Sequence, residues 1–582
     1  MSNKLNKKIG LEVINFSPYA AINVHAYPES IVCKALSNKG HHVTQVRCNG
    51  IYKKNCISMS AAGVWYDSDE ADKNKVCSQC KNNTLALKSQ FDFDYIYIDD
   101  LITAEDLLLI DDITNNVDVN NWTELIYENI PIGKYASYEF LLNRKIANID
   151  FDLKLLPEYR AALWNALITF VATKRIMSQC RVDRVISYNN LYSCNHVFSE
   201  VSKIYGASIF SLHAGSHHKY RLSEMTIFKD YIYQSLTNRT DAWHLYSENP
   251  IGDMQIRKAY EHVEELLDAK SPWVYSIKSN NKSADEIKRK LKVPVGAKVL
   301  LATMASGDER FAAAMVDALP PYETPFFKTQ LDWIEYLIEL ASDRPDLYFI
   351  IRVHPREFPN KREKVLSTQA TILLNSFNNL PANVIVNWPE DNISLHDLVK
   401  IVDVGLNATS TAGLELLMFG IPVVIYDSMQ LFSYPREFNY VAINQNDYVN
   451  KIDQAICEGI SFRNIRNVFR WLSYRSDVVS IDISRHYKAN HTILFRIFNR
   501  ILKIFKKNMV DLYFNRYSML FGIKNQNKLV YAIENDQVSH LSVFKLAKIN
   551  DLEKKQTLER YYIGEAVSKY FNKIGLGFER FN

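Results

Sequence analysis

The 582-residue sequence has no apolar stretch approaching the ~20 residues of a membrane span. Its opening, MSNKLNKKIGLEVINF, carries two short basic clusters but lacks the apolar core of a signal peptide. These absences predict a cytoplasmic protein. Charge of one sign is lacking too: 69 Lys and Arg face 65 Asp and Glu, and a formal charge of +4 is too small to imply a nucleic-acid partner. No GxGxxG marks a strand-to-helix junction, which argues against a dinucleotide oxidoreductase, and no short-period repeat is evident. In a reducing compartment the eight cysteines stay thiols, so clustered ones point to metal before disulfide.

What is present is an alternation of apolar strands and amphipathic helices. KIGLEVINF (8–16) reads as a strand, ESIVCKALSNKGHHV as a helix closing at Gly40, and VTQVRC as the next strand. DRVISY, a helix over roughly 194–205 and ASIFSLHAG continue the pattern, which a parallel sheet covered on both faces explains most economically. A polar stretch between 275 and 295 reads as a linker. Beyond it KVLLATM, LYFIIRVHP, VIVNW, IVDVGLNA and PVVIYD alternate with helices as a second doubly wound domain. The expected division is 1–285, an acceptor domain with a Cys-rich insert near 48–80; 286–480, a nucleotide-binding domain; and 481–582, a helical extension. Two such domains facing across a cleft place the carboxyl ends of both sheets, where ligands bind, on its two walls. Within the extension, residues 493–507 form a basic amphipathic helix with Arg496, Arg500, Lys503, Lys506 and Lys507, either packed on the domains or laid on an anionic membrane.

Two segments carry the chemistry. In VDVGLNATSTAGLELLMFGIPVVIYD (402–427) a strand runs into Thr409, Ser410 and Thr411 and opens a helix, whose start and hydroxyls suit a phosphate. Glu415, one turn on, suits ribose or sugar hydroxyls; alternatively a hydroxyl caps the helix and Glu415 completes a capping box. In LYFIIRVHPREF (347–358) a buried strand ends at Arg352, His354 and Arg356, where an arginine can grip phosphate oxygens and His354 can donate to them. The loop after KVLLATM offers Ser306, Gly307 and Arg310 toward the same phosphates, or is an ordinary polar turn.

The HP pair at 354–355, followed by TST at 409–411 and ELLMFGIPVV, resembles bacterial GT-B glycosyltransferases of capsule and lipopolysaccharide synthesis, above all those using CMP-activated sugars, the Kdo transferases and sialyltransferases. The resemblance covers roughly 290–430. It implies the GT-B fold, an inverting transfer from a CMP-linked donor to a surface or lipid-linked glycan without catalytic metal, and CMP held by His354, Ser410 and Thr411. The pattern is also similar to polyol-phosphate transferases of the teichoic-acid type, which take CDP-linked donors; an inactive scaffold is a third reading.

An inverting transfer needs a base for the acceptor hydroxyl, expected on strand ends of the first domain: His213 in SLHAGSHHK first, then Asp99 or Asp100 after YIYIDD, with His25 and Glu29 also in reach. Asp92 and Asp94 match the DxD of GT-A enzymes but lack that fold around them. Cys48, Cys56, Cys77 and Cys80, spaced Cx7C and CxxC, suit a structural zinc; unrelated thiols and an iron–sulfur cluster are the alternatives.

Overall fold

The computed structural model describes residues 10–52, 54–231, 240, 242–271, 274–319, 326–360, 364–377, 379–426, 433–483, 523–546 and 549–577. The basic segment 493–507 lies outside the described residues. Among the described ones, no helix is long and apolar enough to cross a membrane.

Among the described residues, thirteen strands form two sheets. The first contains β1 (Glu12–Phe16), β2 (His42–Arg47), β3 (Asp94–Tyr97), β4 (Arg184–Tyr188), β5 (Ser208–Ala214), β6 (Glu224–Lys229) and β13 (Ile481–Asp482), in the order β13-β6-β5-β4-β1-β2-β3. β1 to β5 are parallel, whereas β6 and β13 are antiparallel additions at one edge. The second contains β7 (Lys298–Thr303), β8 (Leu347–Arg352), β9 (Val384–Asn387), β10 (Val404–Asn407), β11 (Val423–Tyr426) and β12 (Tyr440–Ala442), all parallel, in the order β12-β11-β10-β7-β8-β9. Both are doubly wound, and each reverses strand order beside its first strand: between β1 and β4, and between β7 and β10. Ligands bind at such reversals, outside the carboxyl ends of the strands. Two Rossmann-like domains flanking a cleft constitute the GT-B architecture.

The patterning explains the layers. All six residues of β8, LYFIIR, are buried, as expected of a parallel strand covered on both faces. Each sheet accordingly has a separate apolar core on either face. The helix Asn23–Ser37 is followed by Gly40 at φ 90°, a left-handed turn into β2 that glycine adopts without strain.

The connection between sheets does not pass once and end. After β6 the chain enters the second domain, where the helix Asp253–Leu267 packs on the helices Phe462–Tyr474 and Leu552–Ile574. Arg466 and Arg470 both pair with Glu559, which is wholly buried, at 2.6 and 2.7 Å. The chain then returns to the first sheet as β13, and the helix Ile523–Asn535 packs against Asn23–Ser37 and β6. Direct bonds also join the domains: Lys145 Nζ donates to the carbonyls of Phe358 and Val365 at 2.9 and 2.8 Å, and Tyr135 Oη to Asp317 at 3.3 Å.

Candidate functional site

The crevice between β7 and β10 opens into a cavity of about 100 Å³. Arg352, His354, Ser410, Thr411 and Glu415 all line it.

Arg352 ends β8. Its Nη1 donates to Asn387 Oδ1 and to the Ile393 carbonyl at 3.0 Å, and among the described residues its Nε and Nη2 have no hydrogen-bond partner. The side chain is 8% exposed, and burial brings its pKa down to about 10, against the opposing pull of Glu415, Asp391 and Asp397. It stays a cation, poorly solvated and aimed at the cavity, which is where a charge-assisted bond to an anion is strongest.

Pro355, which lacks an N–H, stops the strand, and His354 caps the short turn Pro355–Glu357 by accepting the Arg356 N–H on Nδ1 at 3.2 Å. Burial, with Arg356, Arg352 and Lys145 nearby, takes its pKa down to about 3. A neutral ring that accepts on Nδ1 carries its proton on Nε2, so His354 offers a donor whose state does not change near neutral pH.

β10 ends at Asn407, whose Nδ2 donates to the Ser410 carbonyl at 2.9 Å and so folds the TST turn. The helix Ala412–Met418 follows at once. Gly413 permits this: a Cβ there would lie 2.1 Å from Tyr434 Oη and 2.5 Å from Asn407 Nδ2. Ser410 Oγ accepts the Ala412 N–H at 3.3 Å, whereas Thr411 is exposed and its side chain makes no capping bond. Glu415 is no capping-box partner; it accepts from Nε2 of the buried His396 at 3.2 Å. The helix is only 7 residues long, so its dipole is small and the side chains carry the site's electrostatics.

Other expected residues lie elsewhere. Arg356 is 4% exposed and engages Asp308, Ser306 Oγ at 3.0 Å and the Leu142 carbonyl at 3.3 Å. It ties the second domain to the first and does not line the cavity. Neither do Ser306, bonded to Asp308 at 2.6 Å, or Gly307, whose N–H donates to Glu357 at 3.1 Å. Arg310 and Thr409 are also outside the lining.

The first domain reaches the cavity through His218, on the loop after β5. Its Nδ1 is buried without a partner among the described residues, and burial with Arg221 and Arg475 nearby lowers its pKa to about 3. His213 itself stands half-buried beside Tyr188, its Nδ1 donating to the Ala214 carbonyl at 3.2 Å. Asp99 accepts the Asn49 N–H at 2.6 Å and Asp100 is exposed, both away from the cavity. His25 stacks on Tyr188 at 4.0 Å, and Glu29 is buried, with Ser17 Oγ 2.5 Å away. Asp92 closes the helix Glu70–Phe91 and Asp94 pairs with His42 at 3.0 Å, so the DxD is spent on local structure. Sequence reading passed over Tyr275 and Thr303, which also line the cavity. Thr303 was findable as the polar end of KVLLAT; Tyr275, in a connecting segment, has no sequence signal.

No group of three or more His, Cys, Asp or Glu among the described residues is placed to hold a metal ion, so the side chains do not form the tetrahedral zinc site expected of the four cysteines.

No family model and no curated protein matches the chain. Among solved structures it is similar to KpsC of Thermosulfurimonas dismutans, a β-Kdo 2,4-transferase, at 14% identity over 51% of this chain and 81% of that one, TM-score 0.31. It is similar to the glycosyltransferase SnogD of Streptomyces nogalater at 11% identity over 81% and 96%, TM-score 0.22. It is similar also to the UDP-GlcNAc 2-epimerase of Neisseria meningitidis bound to UDP-GlcNAc, at 11% identity over 81% and 98%, TM-score 0.25.

Proposed function

We propose that the protein is a glycosyltransferase whose second domain binds a nucleotide sugar in the β7/β10 cavity and transfers the sugar with inversion to a glycan or glycolipid acceptor held by the first domain. The observation that carries this is the meeting of Arg352, His354, Ser410, Thr411 and Glu415 in one cavity at a strand-order reversal. A buried cation, a fixed neutral donor and two hydroxyls match a phosphate, and a carboxylate at their side matches ribose hydroxyls. Arg352 and His354 stabilise the departing phosphate directly, without a step that calls on metal. The HP and TST motifs favour CMP as the nucleotide. The acceptor's proton then falls to His213, near the end of β5, or to His218 on the loop that follows. Acceptors of this class are built at the inner face of the plasma membrane, where a cytoplasmic enzyme meets them.

Titration of CMP, CDP, UDP and GDP, followed by thermal shift and calorimetry, tests the reading, since a ligand bound only by the folded state raises its apparent stability. The cytidine nucleotides should bind, and Ser410→Ala with Thr411→Ala should weaken them at least ~10-fold, the loss of ~1.4 kcal/mol of hydrogen bonding, with the fold intact. Unchanged affinity in the double variant removes the assignment. A product heavier by a phosphorylated polyol would make the chain a polyol-phosphate transferase using the same anion site.

A further inference from the structure

One buried histidine of the second domain is out of keeping with its surroundings. His396 is wholly buried on the short helix Leu395–Leu398, whose two leucines belong to an apolar core, and the Phe419 ring lies 5.4 Å from its own. Leucine or phenylalanine would fill such a place at no polar cost. The imidazole's Nδ1 is instead buried with no hydrogen-bond partner among the described residues. An unmade bond of that kind is destabilising, so what the ring offers lies at its other nitrogen.

That nitrogen, Nε2, lies 3.2 Å from Oε2 of Glu415. A carboxylate only accepts, so Nε2 carries a proton and donates it. Oε1 of Glu415 has no hydrogen-bond partner among the described residues, and Glu415 lines the donor cavity. The turn that carries His396 is itself fixed. Ser394 Oγ accepts the Asp397 N–H at 2.9 Å and donates to Asp397 Oδ2 at 2.8 Å, while Asp397 also takes Ser279 Oγ at 2.7 Å and the Asn280 N–H at 3.2 Å. Just before that turn the Ile393 carbonyl receives Arg352 Nη1 at 3.0 Å. One short stretch, 393–397, therefore sets both the cation and the carboxylate of the cavity.

Resting on the reading of this cavity as a nucleotide site, we propose that His396 is the positioning residue of Glu415: it holds Oε2, reserves Oε1 for a ribose 2′-hydroxyl, and so makes the site selective for ribonucleotides over 2′-deoxyribonucleotides. Released from His396, the carboxylate would be drawn to the Arg352 guanidinium, on which it already acts more strongly than Asp391 or Asp397. Its place beside the ribose would then be lost. A site built around a hydroxyl rejects the analogue that lacks it, because the fixed acceptor is left unpaired; a carboxylate free to turn away pays no such penalty and discriminates less.

The test is calorimetry of CMP and 2′-deoxy-CMP on the full chain. The unaltered protein should bind CMP at least ~10-fold more tightly than its deoxy analogue. His396→Phe, which fills the same space without a donor, should bring the two affinities together by weakening CMP, and His396→Gln, whose amide can reach Glu415, should restore the preference. His396→Asn, with an amide too short for that contact, should also lose the preference and decides if the phenylalanine variant does not fold. A Phe or Asn variant that keeps the preference, or that weakens both nucleotides alike, overturns the role of His396 while the donor assignment stands. Equal binding of the two nucleotides by the unaltered chain overturns it as well and again leaves the donor assignment in place. Binding of neither removes the cytidine assignment and this proposal together.

Discussion

The two sheets reverse strand order at equivalent places, yet the side chains beside the two reversals are spent differently. Between β1 and β4 the side chains bond to one another and to the backbone: Glu29 takes the Tyr188 N–H at 2.8 Å, Gln45 donates to Asn15 at 3.0 Å, and Arg47 donates to the Ser17 carbonyl at 2.7 Å. Between β7 and β10 Arg352 is left with unspent donors facing a cavity. The ionisable groups diverge in the same sense. Burial raises Glu29, Glu139 and Glu224 to about 7, so these three carboxyls titrate near neutrality, whereas Arg352 at about 10 stays charged. The lesson is that a doubly wound sheet supplies a crevice and side chains decide whether it is a site.

Three perturbations sharpen or break that contrast. The largest effect is expected from Arg356→Ala. Asp308, 1% exposed, would lose its ion-pair partner, and removing one member of a buried pair costs ~3–5 kcal/mol. The denaturant midpoint should fall steeply while nucleotide affinity holds; the reverse pattern would make Arg356, and not Arg352, the ligand group. Next comes Arg352→Met, which should leave the midpoint nearly in place and weaken nucleotide binding ~10–100-fold, the ~1.5–3 kcal/mol of hydrogen bonds to a charged group. Calorimetry showing full affinity would mean that the open crevice is not the anion site.

The smallest effect belongs to Glu139→Gln. Glu139 titrates at about 7 in the fold, raised by burial against the bonds from Ser193. Between its ordinary value and 7 the folded state binds the proton more tightly than the unfolded chain, so this group's contribution to stability falls as pH rises through that window. The neutral glutamine does not titrate. The variant should therefore gain on the parent protein between pH 5 and pH 8, by on the order of 1–2 kcal/mol. Parallel stability profiles for the two proteins would show that the first crevice does not hold its carboxyl neutral.

Much of this architecture is legible in the residues. KVLLATM, LYFIIRVHP and PVVIYD fall on β7, β8 and β11 because unbroken apolar runs of that length fit a strand covered on both faces. The helix expected over 411–419 is Ala412–Met418. Elements whose burial comes from distant partners were not legible. Leu156–Gln179 is buried on most of its circumference and so lacks a polar face to give it period. Glu70–Phe91 is the opposite case: Lys73, Thr84, Leu87 and Phe91 are its buried residues, too few for an amphipathic pattern. In the site, residues at strand ends could be found because strand, proline and hydroxyl cluster are local signals. Arg356 looked equivalent to Arg352 because nothing local says that Asp308, on another loop, will claim it. His218 could not be separated from His213 and His217, since the turn that aims one of them at the cavity depends on contacts across the domain boundary.

β13 gives the chain an order of assembly. Ile481 pairs with Met225, and a ribosome working at ~5–20 residues per second delivers the later strand tens of seconds after the earlier one. Through that interval β6 emerges with a bare edge, a template for the wrong neighbour. The second domain's strands, contiguous in the chain, can all pair before β13 is made. The finished first sheet thus records that synthesis has passed β13, and a chain truncated before Ser480 would be exposed along β6 to chaperones and proteases even though every residue of the donor cavity had already been synthesised.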